Sequence, residues 1–135
     1  RRFVGDDAFL TGLRAFYGEF RYRKAGTDDL RLAMEKASGQ PLERFFARWV
    51  LDATLPRVRY STTVQAGGVD VAYEQVGEVF DVPVTVTLQY TDGTSEDQVV
   101  RFTDASGTIS LKARAAVRNV ELNRDDLALG TFDRR

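Results

Sequence analysis

Residues 82–93 read VPVTVTLQYTDG. Val82, Val84, Val86, Leu88 and Tyr90 alternate with Thr85, Thr87 and Gln89, so one face of an extended segment is apolar and the other polar. Asp92-Gly93 follows, a pair that tolerates the positive φ of a tight hairpin, and a return strand is expected over residues 96–103 with Val100 and Phe102 inward. Pro83 cannot donate to a ladder, which places it at an edge or at a strand start.

The same period of two extends outward from this strand. Towards the amino end, Val58, Tyr60, Thr62 and Val64 alternate up to a turn at Ala66-Gly67-Gly68, and Val69, Val71 and Tyr73 alternate after it. Towards the carboxyl end, short strands are expected at residues 108–111, 117–122 and 128–132, separated by Ser106-Gly107 and by residues 123–126. Six or seven short antiparallel strands with frequent turns predict a small β-sandwich over residues 57–135.

Before Pro56 the period is that of a helix. Phe9, Leu10, Leu13, Phe16, Tyr17 and Phe20 form one apolar face through about Arg21, with Asp6 expected to cap it after Gly5. Gly12 and Gly18 are expected where another backbone packs closely. Thr27 is expected to cap a second helix with Asp28 and Asp29 in its first turn, Leu30, Ala33, Met34 and Ala37 inward, and Gly39 as its stop. Pro41 fits the first position of a third helix carrying Leu42, Phe45, Phe46, Trp49 and Val50. The fold class is therefore α+β: a three-helix segment, residues 1–56, followed by an antiparallel sandwich of six to seven strands, residues 57–135.

Composition narrows the chemistry. With 43% hydrophobic and 29% charged residues in 135, the chain can bury a core beneath a charged surface. No apolar run approaches the roughly 20 residues of a spanning helix, so no membrane partner is expected. Residues 1–52 carry ten basic and eight acidic side chains and residues 57–135 carry nine and twelve. Nucleic-acid binding calls for a concentrated basic stripe, and none is present. There is no His and no Cys, which removes the commonest general base and the commonest zinc ligands together. The start, Arg1-Arg2-Phe3-Val4, has neither Met nor a signal-peptide pattern and reads as a position inside a longer chain.

The acidic pairs Asp6/Asp7 and Asp28/Asp29 stand at helix starts, where the helix dipole favours negative charge. Asp125/Asp126 lies in a turn without the spacing of a calcium loop. Asp92, Glu96 and Asp97 gather near a hairpin tip and read as a solvated turn. Phe45, Phe46 and Trp49 have helical spacing and read as core or interface. Ser38-Gly39 and Ser106-Gly107 lack a His or Lys motif that could activate a hydroxyl. No residue is assigned a catalytic, cofactor-binding or metal-binding role.

In their order along residues 3–60, several pieces resemble the segment after the catalytic core of the aminopeptidase N family of zinc metallopeptidases. They are the helix start Gly5-Asp6-Asp7-Ala8-Phe9, the Thr27-Asp28-Asp29-Leu30 helix, the Ser38–Leu42 link, the Phe45-Phe46-x-x-Trp49 helix and Pro56. The remainder looks like the small β-sandwich that often follows there. The resemblance implies a parent hydrolase with a His-Glu-x-x-His zinc site, a downstream Glu and a transition-state Tyr. None of these carries over, since His is absent and Tyr17 and Tyr22 lie in the wrong motif. The fragment is expected to be non-catalytic, with no cofactor of its own, zinc being implied for the parent alone. Its expected partner is the catalytic domain of the same chain, with peptide substrate for the parent only, and self-association is expected through the helical segment. The alternatives are part of a scaffold protein of the same architecture without a zinc site, and a free-standing β-sandwich binding module.

Overall fold

The computed structural model describes residues 1–135, which divide into two compact units, Arg1–Ala53 and Thr54–Arg135. Three helices are followed by seven strands in two mainly antiparallel sheets, an α+β fold with a sandwich-like arrangement. No helix is long and apolar enough to cross a membrane.

The first unit holds α1 (Asp6–Phe20), α2 (Thr27–Ser38) and α3 (Glu43–Trp49). Its buried centre is small: Phe3, Met34 and Leu42, with Val4, Phe9, Leu30, Phe45 and Phe46 packed around them. Phe3 stacks on Phe45 with ring centroids 5.1 Å apart. Gly12 sets how closely α1 approaches α2. A Cβ there would lie 2.7 Å from Met34 Sδ and 3.2 Å from the Ala33 carbonyl oxygen.

Four local expectations need correction. Gly18, expected at a close contact, is exposed and has nothing within 4 Å of where its Cβ would stand. Asp6 does not cap α1, because Gly5 occupies that position and the Asp6 carboxylate instead accepts two hydrogen bonds from Arg1, at 2.7 and 2.6 Å. Thr27 is the first residue of α2 rather than its cap. Gly26 stands before it, and its N–H donates to Asp29 Oδ2 at 2.8 Å. Pro41 lies outside α3, since the Leu42 N–H is taken by Glu35 Oε1 at 2.8 Å and the helix begins only at Glu43. Gly39 ends α2 as expected, in the left-handed region at φ 66°.

In the second unit, β1 (Arg57–Gln65), β2 (Gly68–Gln75), β5 (Ser106–Lys112) and β7 (Thr131–Arg134) form one sheet in the order β5-β2-β1-β7. The other sheet consists of β3 (Val82–Tyr90), β4 (Ser95–Phe102) and β6 (Val117–Leu122) in the order β4-β3-β6. The inward residues of β3, namely Val82, Val84, Val86, Leu88 and Tyr90, are all at most 1% exposed. Opposite them, Val58, Val69 and Val71 are equally buried, and Tyr73 stacks on Phe102 at 4.0 Å. Along β1 the inward alternation ends before the turn, with Val64 exposed.

Pro83 is at a strand start. It pairs with Arg101 of β4, while β6 joins β3 only from Val86 onward, so a missing N–H at Pro83 interrupts no β3–β6 ladder bond. The sheets are not wholly antiparallel: β7 runs parallel to β1, with Arg57 opposite Thr131, and begins three residues later than expected. Two contacts explain this. Asn123 closes residues 123–128 into a loop, its amide group donating to the Ala128 carbonyl at 3.0 Å and accepting from the Ala128 N–H at 2.9 Å. Gly130, at φ 138°, lies so close to Pro56 that a Cβ would meet its carbonyl oxygen at 2.6 Å. The Thr131 N–H then donates to that same oxygen at 3.0 Å, which starts the parallel pairing.

Candidate functional site

The carboxylates that invite a catalytic or metal-binding reading are dispersed, and most are engaged locally. Asp6 binds Arg1, Asp29 closes the start of α2, and Asp28 lies 3.4 Å from Arg31. The Arg1 hydrogen bond holds the Asp6 carboxyl below the usual carboxylate range. Asp125 accepts from the hydroxyl of buried Thr85 at 2.6 Å and from the Leu127 N–H at 3.2 Å. Asp126 occupies a left-handed turn position. Ser38 donates to the Met34 carbonyl at 2.7 Å and finishes a helix. Ser106 begins β5, next to Gly107 on which the Tyr73 ring rests.

The best-connected polar group lies where the sequence suggests a solvated turn, and this reading is corrected for Glu96 and Asp97. Tyr90, 1% exposed, donates its hydroxyl to Glu96 Oε2 at 2.6 Å, and the Arg114 guanidinium stands over its ring at 4.5 Å. The hydrogen bond to Glu96, with burial second, raises the Tyr90 phenol above its ordinary value. Thr87, also buried, donates to Asp97 at 2.7 Å. Asp92 is the turn residue proper: its Oδ1 accepts from the Thr94 hydroxyl at 2.5 Å and the Thr94 N–H at 2.9 Å, which lowers its carboxyl from the ordinary range. These contacts bind a hairpin together. The alternation pattern gives no hint of Arg114, which comes from a different connection.

Zinc chemistry does not fit these residues. There is no His or Cys, and nowhere do three potential ligands converge. Two further surfaces stand out. On the second unit, a groove of about 390 Å3 runs over Arg59, Ser61, Glu74, Ser106 and Arg135, with Arg135 paired to Glu74. On the first unit, α1 presents Leu10 and Leu13, each 41% exposed, and Tyr17, 66% exposed. They recur at helical spacing beside the partly buried Phe9, Phe16 and Phe20. The six apolar residues expected on one face of α1 therefore divide into an inner and an outer stripe. Phe45, Phe46 and Trp49 are half-buried among themselves and Phe3, a core rather than a binding platform.

Over 58 residues the chain is 34% identical to aminopeptidase N of Lactococcus lactis subsp. lactis, a match covering 43% of this chain and 7% of that protein. Along this stretch the chain is similar to an aminopeptidase. A solved structure of Legionella pneumophila aminopeptidase A, in complex with aspartic acid, superposes on 97% of this chain and is itself covered to 16%. The TM-score is 0.84 at 15% identity, a likeness of fold. The chain thus spans a small part of the aminopeptidases it resembles. No family model matches it.

Proposed function

We propose that this chain is a non-catalytic, carboxyl-terminal part of a zinc aminopeptidase. In this reading the helical unit braces the catalytic region of the same polypeptide and the sandwich is a spacer. The observation that carries it is the outer stripe of α1. Leu10, Leu13 and Tyr17 face solvent on a helix whose opposite face already packs on α2. Burying an apolar side chain of this size is worth roughly 1.5–3 kcal/mol, so a helix with two apolar stripes has a second neighbour to gain. The resemblance along residues 3–60 supports the same neighbour, the catalytic region that precedes such helices in the family. Separated from it, the helical unit self-associates through this stripe.

The proposal is tested by comparing the chain alone with a longer protein that includes the preceding catalytic region. The longer protein is expected to hold one zinc and to release amino-terminal residues from aminoacyl substrates, and the chain alone to do neither. Tight stoichiometric zinc in the chain alone, together with aminoacyl hydrolysis, would overturn the proposal. A longer protein without zinc and without activity would favour a scaffold of the same architecture.

A further inference from the structure

The β3–β6 ladder contains an irregularity that the proposed function does not use. Its register runs from Val86 opposite Leu122 to Gln89 opposite Asn119, and then passes directly to Tyr90 opposite Val117. Arg118 is the extra residue of a β-bulge. Bulges re-aim side chains, and they are frequent beside functional sites. Here the re-aimed arginine lines a cavity of about 250 Å3, together with Arg124, Gln89, Thr94 and Ser95.

The charges in this cavity do not cancel. Arg124 meets one carboxylate, Glu121, at 3.5 Å, and that carboxylate also accepts from Gln89 at 3.1 Å. The acids of the nearby hairpin tip already face a third arginine: the Arg114 guanidinium lies 4.0 Å from Asp92 and 3.9 Å from Glu96. Arg118 is exposed and its guanidinium forms neither a hydrogen bond nor an ion pair within the protein, and the Ser95 hydroxyl is likewise without a partner. A guanidinium presents a planar fork of N–H donors that matches the oxygens of a carboxylate or phosphate. From this geometry we propose that the cavity at the β6 bulge binds a small oxyanion, with Arg118 as the principal ligand, Arg124 as the second cation and Ser95 as a neutral donor.

The 135-residue chain is titrated with inorganic phosphate and, separately, with N-acetylglycine, which carries a peptide-like terminal carboxylate. Amide chemical shifts report where each binds. Saturable shifts are expected at residues 89–95 and 118–124 with Kd on the order of 1 mM. Tighter binding of phosphate marks a phosphate site and tighter binding of N-acetylglycine a carboxylate site, and either supports the proposal. Arg118→Gln is expected to weaken binding about tenfold, whereas Arg118→Lys, which keeps the charge but loses the fork, costs about threefold. Arg59→Gln, on the other sheet, leaves it unchanged. The melting temperature of each variant shows that it is folded. Absence of saturation by about 50 mM of either anion, or an equal loss in Arg59→Gln, would overturn the proposal.

Discussion

Gly12 on α1 and Met34 on α2 meet so closely that the helices touch backbone to side chain, with no Cβ between them. Gly12→Ala would gain about 1 kcal/mol of helix propensity. It would also drive a methyl group into the Met34 sulfur, the Ala33 carbonyl and the Ala37 methyl, and overpacking of a tight site typically costs about 1–3 kcal/mol. The sulfur can move, but the carbonyl cannot. The expected net result is a loss of about 1 kcal/mol. Gly18→Ala, six residues further along the same helix and in open space, should instead gain about 0.5–1 kcal/mol. Thermal or urea melts of the two variants should move in opposite directions.

Glu35 fastens the α2–α3 link by accepting from the Leu42 N–H at 2.8 Å and from Arg31 at 3.1 Å. Removing it in Glu35→Ala leaves the N–H of a buried residue without its acceptor, a cost of about 1–2 kcal/mol. The Leu42 N–H, more than Arg31, lowers the Glu35 carboxyl. A depressed folded value gives stability that is present above the ordinary glutamate range and is lost as pH falls through the folded value. Acid melts should therefore show a decline in the wild type below about pH 4 that is smaller in Glu35→Gln.

Tyr90 titrates in the opposite sense. Its phenol is raised by the bond to Glu96, so its contribution is complete below the ordinary tyrosine value and is lost as pH rises through the higher folded one. The tyrosinate absorbance of Tyr90 should appear only above the ordinary tyrosine range. Tyr90→Phe should remove that high-pH step, and a step there that persists in the variant would assign it elsewhere.

Gly130→Ala strikes the β1–β7 junction. Alanine is strained at φ 138°, and its methyl group would collide with the Pro56 carbonyl. A loss of about 2 kcal/mol is expected, with amide exchange accelerated first at residues 131–134.

If α1 associates through its outer stripe, Leu13→Glu and Tyr17→Glu should each leave the isolated chain monomeric by light scattering at concentrations where the wild type is not. Both side chains are already exposed, so the fold should tolerate either change. A wild type that stays monomeric at every concentration would count against the stripe as a contact surface.

What the sequence reveals here depends on distance along the chain. The Asp92-Gly93 turn, the Gly39 stop and the inward residues of β3 follow from neighbours within a few positions, and all are found. The caps at Gly26 and Leu42 depend on carboxylates supplied by Asp29 and Glu35, so Thr27 and Pro41 look better placed than they are. The parallel course of β7 depends on Gly130 meeting Pro56, and no periodicity encodes that meeting. The site at Arg118 is harder still, because one inserted residue in a ladder leaves the apolar alternation around it nearly unchanged.

The parallel pairing of β1 with β7 also has a consequence in time. Arg134 donates to Thr62 across a separation of 72 residues, so β1 acquires its outer neighbour only when nearly all of this sequence is available. Until then one side of β1 offers unpaired backbone groups, a template for any extended strand nearby. Pairings this remote in sequence slow folding, because a long loop must close before any contact compensates for it. A ribosome releasing the sandwich from its amino end would thus expose an adhesive strand through most of synthesis. A chain cut short before Thr131 would keep it exposed and should aggregate rather than merely lose stability.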